Sequence, residues 1–164
     1  MKKTVNKAVQ TLIELKKSKW RKEHPNDPDY LMPSFKYDDG TANGLTSCVI
    51  DFLNAMDGCH GERISIEGRV IDTRKTVTNV VGQVRQIGSI KRIKSSMQLG
   101  TADISATILG RSVKIEVKIN KDIQSQAQKE YQRQIENAKG YYLIAKNFED
   151  FYYWFTSKFP KANE

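Results

Sequence analysis

Cysteine is scarce in this chain of 164 residues, with only Cys48 and Cys59, and histidine is as rare, with only His24 and His60. Neither pair has the short spacing that marks a zinc site, so both thiols read as reduced structural residues of a cytosolic protein. Long apolar runs are missing too. No stretch approaches the roughly 18 apolar residues of a membrane span, and the lysine-led opening MKKTVNKAVQTLIELKK is interrupted by Gln10, Thr11 and Glu14 before it could act as a secretory leader. Neither membrane insertion nor export is expected, and the cytoplasm is the expected location. Three of the four prolines fall within HPNDPDYLMP, residues 24–33, which marks one clear break. A domain of this length buries roughly 70% of its extended surface and needs no disulfide or structural metal to fold.

Acidic residues are the next shortage. Lys and Arg number 27 against 19 Asp and Glu, and the resulting net charge of +8 is concentrated in two places. Residues 2–23 hold eight Lys or Arg and two Glu, while residues 73–102 hold Arg74, Lys75, Arg85, Lys91, Arg92 and Lys94 with no acid at all. Clustered positive charge attracts a polyanion and releases counterions on contact, which makes nucleic acid the leading partner. Basic surface also serves solubility, but two clusters that together exceed the net charge favour a nucleic acid.

Apolar spacing predicts a helix over residues 5–22 through Val5, Val9, Leu12, Ile13 and Leu15. A second helix carries Leu45, Val49, Phe52, Leu53 and Met56 on one stripe, with Gly58 placed as its stop. ERISIEGRVIDT alternates Ile64, Ile66 and Val70 as a half-buried strand, and VTNVV and SIKRIK are candidate strands separated by Gly82 and Gly88. GTADISATILGRSVKIEVKIN reads as a β-hairpin, with Leu109 and Gly110 at its turn. A helix over about residues 123–139, a buried strand YYLIA at 141–145, and a helix capped by Asn147 follow. The stripe Phe148, Phe151, Tyr152, Phe155 and Phe159 on that last helix reads as core.

Turning the hairpin about Leu109 and Gly110 sets Ile104 opposite Ile115 and Ala106 opposite Val113, so the apolar residues share one face. On the other face Asp103 falls opposite Glu116, and Lys118 points the same way two residues later. Two carboxylates so close repel unless a cation lies between them. Oxygen ligands without His or Cys favour a hard ion such as Mg2+, and a lysine beside it could hold a water or offset developing charge. These are the parts of metal-assisted phosphodiester hydrolysis. A blander reading has the same residues: charges alternate with apolar side chains on any half-exposed strand, and Lys114 or Lys118 could merely pair with Asp103 or Glu116.

GTAD, twelve residues, then Glu116-Val117-Lys118 resembles the PD-(D/E)XK nuclease pattern, with Thr101-Ala102-Asp103 where that pattern has Pro-Asp. With Ser125-x-x-Gln128, Gly140 and YYLIA, the chain looks like the VRR-NUC branch, the virus-type replication and repair nuclease domain, over about residues 42–155. The resemblance implies an α/β, restriction-endonuclease-like core, a mixed β-sheet flanked by helices, with residues 42–164 as the nuclease domain. Residues 1–41 would add a basic N-terminal helix and linker that contact DNA or a second subunit. It implies that Asp103 and Glu116 bind one or two Mg2+ or Mn2+ ions, helped by the Val117 backbone carbonyl. Lys118 would position or activate the water, and Gln128 would contact water or phosphate. The implied protein is a stand-alone phage or bacterial deoxyribonuclease, a homodimer by analogy, that cuts branched or nicked DNA. Arg74, Lys75, Arg85, Lys91, Arg92 and Lys94 would hold its phosphates. Family members usually carry a glutamate early in the first core helix; here Ala42 or Asn43 stands there, and Glu14, Glu62 or Glu67 are the candidate substitutes. The alternative is a DNA-binding protein that keeps the fold without catalysis.

Overall fold

Thr41 opens the helix on which the larger part of the chain is built. In the computed structural model, which describes residues 6–64, 69–93 and 98–163, the Gly44 N–H donates to the Thr41 hydroxyl at 3.1 Å, a side-chain cap of the kind that starts helices. The elements in chain order are α1 (Lys7–Glu23), α2 (Ala42–Ala55), β1 (Cys59–Arg63), β2 (Arg69–Asp72), β3 (Lys75–Thr78), β4 (Val84–Ile87), β5 (Ile90–Ile93), β6 (Ile104–Ile108), β7 (Arg111–Val117), α3 (Gln126–Asn137), β8 (Tyr141–Ala145) and α4 (Phe148–Lys158). Val5, Ile66, Glu67 and Lys94 lie outside the described residues. Gly58 does not stop α2 as expected: Met56 caps it through an N–H bond to the Leu53 carbonyl, and Gly58, at φ +69°, turns the chain into β1. The expected strand of residues 62–73 is likewise not one element, since β1 ends at Arg63 and β2 begins at Arg69.

Four strands in the order β1-β6-β7-β8 make a mixed sheet, antiparallel from β1 to β7 and parallel between β7 and β8. The β6–β7 hairpin has the expected register, with Ile104 opposite Ile115, Ala106 opposite Val113 and Ile108 opposite Arg111. Its turn residues Leu109 and Gly110 both have positive φ, 47° and 77°, as a two-residue hairpin turn matching the strand twist requires. Helices flank both faces. Tyr141 points at Trp154 and Phe159 beside α4, while its neighbour Tyr142 meets Tyr131 of α3 on the opposite face.

The core lies on the face covered by α1, α2 and α4. Phe52 of α2 stands edge-on to Phe148, Phe151, Tyr152 and Phe155 at centroid separations of 5.0–5.9 Å, the preferred geometry for ring quadrupoles. The aromatic stripe of α4 is therefore core, as its spacing predicts.

The chain forms two compact units. One compact unit comprises Met1–Ile64 with Leu99–Glu164, and the second comprises Ser65–Gln98. Helix α1 belongs to the first unit because Ala8, Val9 and Leu12 on one of its sides are buried with the core residues, and Lys19 donates to the Asn54 carbonyl of α2 at 2.6 Å. Its positive charge is also largely spent internally, through Lys16–Asp51, Lys17–Glu14, Lys19–Glu23 and Arg21–Asp29 pairs. No helix among the described residues is long and apolar enough to cross a membrane.

Within the second unit β2 pairs with β5 and β3 with β4, both antiparallel, forming a β-ribbon.

Replacing Phe52 by Ala removes the ring that four others contact. The expected loss is about 3–5 kcal/mol, read as a lower urea midpoint with an unchanged slope.

Candidate functional site

Strand β7 alternates sharply. Val113, Ile115 and Val117 enter the core, while Glu116 and Lys118 face the other way, toward α3, and are nonetheless 2% and 7% exposed. A carboxylate and an ammonium buried to that extent must be held by partners. Nζ of Lys118 lies 3.1 Å from Oε1 of Glu116 and 3.3 Å from Oδ2 of Asp122. The side-chain amide of Gln128 donates to the same Glu116 oxygen. The other oxygen, Oε2, is buried with no hydrogen-bond partner.

Asp103 sits one residue before β6, and the hairpin register continued by one step places it opposite Glu116. Its Oδ2 accepts from the Val117 N–H at 2.9 Å and its carbonyl accepts from the Ile64 N–H at 2.8 Å, which fixes it between β1 and β7. Burial, followed by the nearby Asp103 charge, pushes the Glu116 carboxyl up to about 7, against opposing contributions from Lys118. The two acids therefore act on the same space. Val117 itself contributes a buried side chain and the N–H that Asp103 accepts. For Lys118, burial favours the neutral amine, but the hydrogen bonds and charges of Glu116 and Asp122 outweigh it and raise the ammonium above its usual value. An ammonium so held is a donor and point charge, not a proton acceptor.

The position of Gln128 follows from the start of α3. Ser125 Oγ accepts from the Gln128 N–H at 3.3 Å and Gln128 Oε1 accepts from the Ser125 N–H at 2.8 Å, a reciprocal capping box. This orients the amide: Oε1 is committed to the cap, so Nε2 is the end that meets Glu116. Gly100, at φ +81°, holds that turn against the strand entering the site, since a Cβ there would run into the backbone of Ala127 and Gln128.

Asp122 is the site neighbour that sequence reasoning passed over. The available signal was its spacing, four residues beyond Lys118 and just past the strand end, from which a carboxylate can turn back to the amine. Among the proposed substitute acids, Glu14 is ruled out, because it lies on α1, across the sheet, and binds Lys17 and Gln10. Glu62 is exposed on β1, opposite Ser105 and two rows from the Asp103–Glu116 row. Asn43, in the first turn of α2, accepts from Arg63 at 2.9 Å.

The ribbon gathers Arg74, Lys75, Arg85, Lys91 and Arg92, all exposed. Arg74 is partly neutralised there, since Asp72 binds its guanidinium at 2.7 Å. Among the described residues no cluster of three or more His, Cys, Asp or Glu side chains could hold a metal ion. Two carboxylates with an unpartnered buried oxygen still suit Mg2+ or Mn2+, which bind through one or two acids and take their remaining ligands from water and substrate phosphate. No known protein-family model matches the chain, and no curated protein is similar to it.

In metal-free protein Glu116 binds its proton more tightly folded, near 7, than unfolded, near 4.5. The contribution of Glu116 to stability should therefore be full below about pH 4.5 and fall by on the order of 1–3 kcal/mol as pH rises through that window. Thermal melts in a chelator from pH 5 to 8 check this, and Glu116→Gln should flatten the profile.

Proposed function

We propose that the protein is a Mg2+- or Mn2+-dependent deoxyribonuclease with a restriction-endonuclease-like core of the VRR-NUC kind, acting on branched or nicked DNA in the cytoplasm. The observation that carries this reading is the buried Glu116 carboxylate: Lys118 and Gln128 occupy one oxygen, Asp103 faces it from the next strand, and the second oxygen has no partner. Such a group is a poor device for stability, since a buried ion pair seldom repays its desolvation, and an incompletely satisfied one less so. It is suited to holding a hard cation.

Asp103 and Glu116 are the residues that would hold the ion. When bound, it would supply a more acidic water and positive charge at the phosphoryl oxygens. Lys118, kept as an ammonium, donates to the attacking water or to a non-bridging phosphate oxygen and offsets the charge that grows there. Gln128 fixes the Glu116 carboxylate in rotation, so that Oε2 stays turned away from the lysine. Lys75, Arg85, Lys91 and Arg92 on the ribbon neutralise phosphates without reading bases. Two copies of the chain, one for each strand, would suit a duplex substrate.

One observation favours a second reading, a DNA-binding protein without catalysis: neither Ala42 nor Asn43 at the start of α2 is acidic. Incubating nicked, branched and single-stranded DNA with Mg2+ or Mn2+ separates the two. Cleavage blocked by a chelator is expected, with Asp103→Ala and Lys118→Ala each slowing it by about 10²-fold or more. DNA that survives every combination defeats the enzyme, and unimpaired cutting by both folded variants defeats the site.

A further inference from the structure

The ribbon of residues 69–93 is one continuous element. The β2–β5 and β3–β4 ladders share a single register, from Arg69 opposite Ile93 to Thr78 opposite Val84. They are joined where the Thr73 N–H donates to the Ser89 carbonyl at 3.1 Å and the Thr73 hydroxyl exchanges two further bonds with Ser89. Gly88, at φ +95°, passes so close to the Thr73 carbonyl that a side chain there would collide with it.

On one side of the ribbon every directly opposed pair within the two ladders for which side chains are described joins an aliphatic residue to a cation: Ile71 with Lys91, Ile87 with Lys75, and Val77 with Arg85. The aliphatic members are 37–49% exposed. The tip is apolar and held firmly. Oδ1 of Asn79 accepts from the Val81 and Gln83 N–H groups at 3.0 and 2.9 Å, its Nδ2 donates to Gln83 Oε1 at 3.1 Å, and its own N–H donates to the Gln83 carbonyl at 3.0 Å. That cradle presents Val80 and Val81 at 105% and 79% exposure. Two adjacent valines are thereby held in water by a side-chain network as a small, fixed apolar tip.

We propose that the ribbon lies in a groove of duplex DNA and inserts Val80 and Val81 where base stacking is already interrupted, so that the tip recognises the nick or branch. A two-stranded ribbon fits a DNA groove, Lys75, Arg85 and Lys91 match the phosphates beside it, and an aliphatic tip is the kind of side chain that enters a base step. At a nick or junction the cost of unstacking is reduced in advance, so such a wedge prefers broken duplex to intact duplex. Charge selects DNA over a second copy of the chain: ribbon-on-ribbon packing would bring these three cations against their own copies. The inference rests on the nucleic-acid part of the proposed function and not on cleavage.

The test uses full-length protein carrying Asp103→Ala, in a chelator, with an intact duplex and the same duplex bearing a central nick. Fluorescence anisotropy should show about tenfold or greater preference for the nicked DNA. In Val80→Ser/Val81→Ser that preference should shrink to within about twofold, with the salt slope of binding retained. Lys75→Gln/Arg85→Gln/Lys91→Gln should weaken binding to both and lower the salt slope by about 3. A 2-aminopurine beside the nick should brighten with the parent protein and not with the valine variant. Equal affinity for both duplexes, or a preference that survives in the folded valine variant, overturns the proposal. Nick-selective binding without cleavage by the native protein defeats only the nuclease reading, and cleavage without nick selectivity defeats only the wedge.

Discussion

Glu116 is an acid placed where a hydrophobic residue would be easier to keep, and the surrounding structure answers that one problem. Strand β7 delivers it to the covered face of the sheet, β8 and α3 exclude water from it, and Lys118 balances its charge at 3.1 Å. Its partner Asp103 is tied to the same strand through the Val117 N–H. Because the acid is desolvated before any ligand arrives, its affinity for a proton is raised.

The two faces of the sheet divide the work. On one, α1, α2 and α4 close a dry core around Phe52. On the other, a single helix, α3, covers polar residues and is located by a glycine whose missing side chain admits its first turn. The apolar face can be dry and rigid, and the face under α3 can carry buried charge because the core supplies the stability.

Much of this was legible in the sequence where short-range rules act. The hairpin register followed from alternation and a two-residue turn, and it alone brought Asp103, Glu116 and Lys118 together. The aromatic stripe of α4 and the strand Tyr141–Ala145 were as plain. What escaped depended on neighbours distant in the chain. Helix α1 looked like a basic appendage because its cations outnumber its acids, yet only Asp29, Asp51 and the core, supplied from elsewhere, reveal that it is packed and paired. Asp72 lies just before the acid-free stretch of residues 73–102, and nothing in its spacing shows its grip on Arg74. Asp122 was invisible for a similar reason: spacing can place a residue near a strand end but does not say that its side chain turns back.

The double duty of Gln128 restricts how this protein can drift. A glutamate there would preserve the capping bond but set a negative charge against Glu116, while a lysine or arginine would keep a donor and give up the acceptor that Ser125 needs. Asparagine is a methylene too short to reach both. None of these four replacements keeps both contacts, so the start of the helix and the acid beside it are linked through one side chain.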